Sequence, residues 1–128
     1  MLVSNLRRRG GQSDREGPGL PDEERRLLRV QAREAVIDAV RVLGGSAHRT
    51  AILERALVDG GFTERQLQAP PPPSRRGRYP RLVDHDMAWA LTDLKRGGLL
   101  ENPHPSIWGL TAEALAALKS MKPGSMTD

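Results

Sequence analysis

The chain has 128 residues, with 20 Lys and Arg against 16 Asp and Glu, 38% hydrophobic residues, 3% aromatics and no cysteine. That length suits one domain, and the missing cysteines exclude disulfides, thiol nucleophiles and thiolate metal sites. No apolar run approaches the roughly 20 residues that cross a bilayer, and Met1 to Leu6 is too short for the apolar part of a secretion signal, so a cytoplasmic protein without membrane contact is expected.

Residues 1–20 mix Arg, Gly, Ser, Asp and Pro with no apolar periodicity after Leu6, which predicts a flexible basic arm carrying Arg7, Arg8 and Arg9. From Pro21 the pattern turns helical. Leu28, Ala32, Ala35, Val36, Ala39, Val40 and Leu43 recur on one face, Asp22, Glu23 and Glu24 suit the positive end of the helix dipole, and Gly44-Gly45 ends the run. Ser46 to Arg49 reads as a small strand. Thr50 is expected to cap a second helix that turns Ile52, Leu53, Ala56 and Leu57 inward and stops at Gly60-Gly61. Thr63-Glu-Arg-Gln66 has the form of a capping box, predicting a short helical turn through Leu67.

Four consecutive prolines, Pro70 to Pro73, then rule out regular helix and central strand, so residues 69–81 read as a loop with a polyproline start. The next helix, Leu82 to Arg96, buries Val83, Met87, Ala90, Leu91 and Leu94 and ends at Gly97-Gly98. Leu99-Leu-Glu101 and Ile107-Trp-Gly-Leu110 are expected strands of a hairpin turning through residues 102–106. Thr111 caps a last helix with Leu115 and Leu118 facing in, and residues 122–128 are expected to be disordered. The domain is thus placed at residues 21–121. Its order of elements predicts a mainly α, α+β fold: a winged helix-turn-helix with a small β-hairpin wing and a C-terminal helix.

Three motifs sharpen that reading: Trp89-Ala90, the exit Leu94-Lys-Arg-Gly-Gly-Leu-Leu100, and Trp108-Gly-Leu-Thr111. With them, the stretch from about Glu24 to Leu118 resembles the N-terminal winged-helix domain of the Mrr restriction-protein family. The resemblance implies DNA binding in a restriction, defence or regulatory setting. Mrr-type enzymes carry their nuclease on a separate domain, whose acidic metal ligands and lysine have no counterpart here, so no catalysis is implied. One position departs from the family, with Asp86 standing where members place a basic residue.

Charge marks the candidate interface. Residues 21–69 hold eight basic and eight acidic groups and cancel, whereas residues 70–81 hold Arg75, Arg76, Arg78 and Arg81 without an acid. These arginines and Tyr79 form a phosphate-binding or base-stacking candidate on the loop. With Arg49, Lys95 and Arg96 they would hold the backbone of double-stranded DNA, while His85, Ala88 and Thr92 on the exposed side of the helix would meet base edges. The competing reading is a protein-interaction or dimerisation module using Asp84, Asp86, Trp89 and Asp93. Trp89 lies off the apolar stripe, and the expectation is that the wing and last helix cover it, the alternative being a partner-facing anchor. Trp108 is expected to be at least half buried. His48, His85 and His104 lack metal-ligand spacing, and no nucleotide-loop or nucleophile motif is present, so neither metal, cofactor nor enzyme activity is expected.

Overall fold

The computed structural model describes residues 19–75 and 77–121. Residues 1–18 of the predicted arm, Arg76, and the tail at 122–128 lie outside the described residues. The element order is α1 (Asp22–Val42), β1 (Ser46–His48), α2 (Arg49–Asp59), α3 (Glu64–Gln68), a 3-10 turn (Pro73–Arg75), α4 (Leu82–Arg96), β2 (Leu100–His104), β3 (Ile107–Leu110) and α5 (Ala112–Met121). The fold is α+β and winged-helix-like: helices pack around one core, and a three-stranded antiparallel sheet of order β1-β3-β2 closes one side.

Apolar spacing explains the core. Leu28, Ala32, Ala35, Val36, Ala39 and Val40 of α1 are buried as expected, and α1 packs most extensively against α4 and α2. The α4 stripe of Val83, Met87, Ala90, Leu91 and Leu94 is buried in full, joined by Leu82, Asp86 and Ala88. Small residues let the helices approach: at Gly60 a Cβ would stand 2.4 Å from the Phe62 ring and 2.6 Å from the Ala56 carbonyl oxygen, so α2 can end against α1 only with glycine there. Gln31 of α1 ties this corner together, donating to the Gly60 carbonyl at 2.9 Å and accepting from Gln66 Nε2 at 2.9 Å. The Thr63–Gln66 capping box forms as read.

Several boundaries differ from the linear reading. The cap of α2 is His48, whose Nδ1 accepts from the Thr50 N–H at 3.1 Å; Arg49 is already helical, and the strand before it stops at His48. Strand β2 runs from Leu100 through Pro103 to His104, with a register irregularity between Glu101 and His104. Proline has no N–H for the ladder, and the Asn102 side chain compensates by donating to the carbonyls of His104 (2.6 Å) and Ile107 (2.7 Å). In α5 the inward residue is Ala114; Leu115 is 42% exposed, because the i, i+4 face that meets the core runs through Ala114 and Leu118. Thr111 caps α5 by accepting from the Ala114 N–H at 3.1 Å, and its hydroxyl donates to the Gly98 carbonyl at 2.7 Å, pinning the hairpin exit to the end of α4.

The phase of α4 and α5 yields a stability test. Leu94→Ala should cost about 2–5 kcal/mol by cavity formation in the core, whereas Leu115→Ala should stay within about 0.5 kcal/mol. Urea denaturation of both variants measures the difference, and equal losses would contradict the observed facing of α5.

Candidate nucleic-acid interface

Helix α4 presents one face to the core and another to the proline-arginine loop. Asp86 lies four residues after Leu82 and four before Ala90, so the periodicity places it with them on the inward side. It is 5% exposed, the one charged or polar residue in the buried set among the described residues. A buried carboxylate needs partners, and each oxygen has one: Arg25 Nη1 of α1 lies 3.3 Å from Oδ2, and His85 Nδ1 lies 3.0 Å from Oδ1. The expectation that Asp86 belongs to an exposed acidic face is therefore corrected. The i, i+4, i+8 spacing of Leu82, Asp86 and Ala90 was the available signal.

The loop folds back over the outward side of α4. Its ends are joined by the Leu82 N–H donating to the Ala69 carbonyl at 3.0 Å, and Ala69 and Pro71 are buried. Tyr79 stands edge-on to the His85 ring at a centroid distance of 5.3 Å, and the Arg75 guanidinium lies 6.0 Å from the centre of the Trp89 ring. The expected exposure of His85 and Ala88 is not what the structure has: Ala88 is buried and the His85 side chain is only 11% exposed. Thr92 is half-buried, and Lys95 and Arg96 are exposed on the last turn. Trp89 is 38% exposed, so the cover expected from the wing and last helix is absent; its aromatic and cationic neighbours are His85 and Arg75. Trp108 is partly buried, with an indole N–H that has no hydrogen-bond partner.

Beside Trp89 a cavity of about 360 Å³ opens between α1, the loop and α4. Arg25, Arg29 and Arg33 of α1 line one side, Arg75 of the loop another, and Trp89 and Asp93 of α4 a third. The structure thus brings together Arg75, His85, Asp86, Trp89 and Asp93 from the sequence-derived candidates and adds three arginines that segment counting missed, because the charges of residues 21–69 cancel. Their spacing at i, i+4 and i+8 on one helix face could have found them. The other candidates lie elsewhere. Arg81 Nε donates to Asp84 Oδ2 at 2.8 Å, Arg96 Nη1 sits 3.6 Å from Asp93 Oδ1, and Arg78 and Tyr79 border a second hollow with Pro71, Gly77 and Pro80. Arg49 belongs to the wing side, where its N–H donates to the Ser106 carbonyl at 2.7 Å. Among the described residues no three His, Asp or Glu side chains converge as a metal ion would require.

Removing the buried carboxylate tests this arrangement. Asp86→Ala should lower stability by about 1–3 kcal/mol, since it leaves Arg25 and His85 without their partner. Combined with Arg25→Ala in a double-mutant cycle, it should show a coupling above about 0.5 kcal/mol; simple additivity would mean that the contact does not hold α1 to α4.

No curated protein and no solved structure matches the chain. The profile of the Mrr N-terminal domain does match it, over residues 31–120. That stretch holds the second half of α1, the capping-box turn, the loop, all of α4, the hairpin and nearly all of α5, well over half of the chain. The chain therefore belongs to the Mrr N-terminal domain family, a domain associated with restriction systems and distinct from their nuclease part.

Proposed function

We propose that this domain is a non-catalytic binder of double-stranded DNA, serving as the recognition part of a restriction or defence system. The observation that carries the reading is the convergence of Arg25, Arg29, Arg33 and Arg75 on one surface beside the exposed end of α4. Guanidinium groups hold phosphate oxygens through paired N–H donors, and a row of them along one helix face matches a phosphate backbone better than scattered charge does. Lys95 and Arg96 are exposed on the last turn of α4, apart from this cavity, and Arg49 lies at the wing side. With Ala88 buried and His85 under Tyr79, base contacts fall to the second half of α4, through Thr92 and the residues around it. The same grip on DNA would serve a transcriptional regulator; the family favours the restriction setting.

The adaptor reading draws less support. It relied on an acidic face together with Trp89; Trp89 is exposed, but each of the carboxylates has a basic partner: Asp84 with Arg81, Asp86 with Arg25, Asp93 with Arg96.

Fluorescence anisotropy on a labelled mixed-sequence duplex across a salt series tests the proposal. Wild-type protein should bind at low salt, with affinity falling steeply as salt rises. Each phosphate contact contributes about 0.9 to the log–log slope, so Arg29→Ala/Arg33→Ala/Arg75→Ala should flatten it by about 2–3. Absence of binding at low salt, or an unchanged slope in the triple variant, would overturn the assignment.

A further inference from the structure

The cavity beside Trp89 has a chemical polarity that a surface for phosphate backbone alone does not need. Its α1 side carries the guanidinium groups of Arg25, Arg29 and Arg33, while its α4 side carries an indole exposed at 38% and the Asp93 carboxylate. Arg25 is engaged with Asp86 at 3.3 Å, and among the described residues no ion pair involves Arg29 or Arg33. An anion entering here is therefore drawn to Arg29 and Arg33 on the α1 side, since Asp93 on the α4 side is paired with Arg96 at 3.6 Å. On that side the indole offers a flat apolar surface, with the Arg75 guanidinium 6.0 Å from its centre, the outer limit of a cation–π contact and so readily displaced by a tighter stack. The volume of about 360 Å³ falls in the range of small-ligand sites.

A ligand that meets all of these features has a flat ring joined to a phosphate. We propose that the cavity is a binding site for one nucleoside phosphate, with the base stacked on Trp89 and the phosphate held by Arg29 and Arg33. The ligand can come from two sources: a free nucleotide, or a single nucleotide unstacked from a DNA strand held as proposed above. The second source rests on the DNA-binding reading and the first does not. An unstacked nucleotide would place its base at Trp89 and its neighbouring phosphates on the same arginines that grip the backbone, so one surface would serve both.

The chain has two tryptophans, so its indole N–H groups give two resolvable signals in a proton–nitrogen correlation spectrum. Titration of the full chain with deoxyadenosine 5′-monophosphate should shift the Trp89 signal saturably, identified by its absence in Trp89→Phe, and leave the Trp108 signal in place. Arg29→Ala/Arg33→Ala should weaken binding at least about tenfold while keeping the wild-type melting temperature, and deoxyadenosine without phosphate should bind at least as much more weakly. A duplex with a one-base bulge that binds at least about tenfold tighter than its fully paired counterpart identifies strand DNA as the source. Preference for the mononucleotide over the bulged duplex identifies the free nucleotide. Lack of any Trp89 shift at millimolar nucleotide and with bulged duplex, or a shift that Arg29→Ala/Arg33→Ala leaves unchanged, would overturn the site. Duplex affinity is read separately by anisotropy: paired duplex bound without a Trp89 response to any nucleotide sinks the pocket alone, whereas a nucleotide response without duplex binding supports the pocket and sinks the duplex reading.

Discussion

One ion pair sets the register of the two longest helices. Asp86 is charged and almost fully enclosed, and a carboxylate in that position is tolerated only when its oxygens have donors, which Arg25 and His85 supply. Apolar packing alone would allow α1 to slide along α4 with modest loss, since Ala, Val and Leu side chains can repack. The Arg25–Asp86 contact is directional and penalises such a slide. With that register held, Arg29 and Arg33 follow one and two turns later over the cavity that Trp89 borders. The geometry of the arginine surface is thus a consequence of how one buried charge is satisfied.

The loop between α3 and α4 acts on the same surface. Four prolines restrict its backbone, and the Ala69–Leu82 hydrogen bond closes its base, so Arg75 and Tyr79 approach α4 with less conformational freedom to lose than a glycine-rich loop would have. Tyr79 reaches His85, and Arg75 reaches Trp89. The first half of α4 is consequently a platform for the loop, and the second half, from Trp89 to Arg96, is the exposed part. In a winged-helix fold the corresponding helix is exposed along more of its length; here the loop covers part of it and brings its own guanidinium group beside Trp89.

Net charge is a poor guide to this chain. The excess of four positive charges is small, and acids and bases in residues 21–69 balance, yet the fold sorts them. Glu24 is engaged by Arg65, and Asp38 and Asp59 by arginines three or four residues away on their own helices, while Arg29 and Arg33 line the cavity. Surface ion pairs of this kind contribute little stability. Their effect is on the field: carboxylates that are locally matched oppose the arginines lining the cavity less than free ones would.

The helices, the capping box, the glycine stops and the hairpin were legible in linear order, because each follows from periodicity and from backbone chemistry within a few residues. The same local signals marked the loop arginines and both tryptophans as chemically distinct, and the motifs around Trp89, Leu94 to Leu100 and Trp108 carried the family. What linear order could not supply was which side of α4 each off-stripe residue would meet. Spacing with Leu82 and Ala90 put Asp86 on the inward side, but the partner 61 residues away that makes a carboxylate tolerable there was not legible, and Ala88 was buried although it lies off the stripe that periodicity marked. The Arg29–Arg33–Arg75–Trp89 surface joins α1, a loop and α4, segments that are neighbours only after the core has formed. Periodicity describes one element at a time, whereas a site built across three elements depends on how they dock, and docking is decided by the sum of long-range contacts.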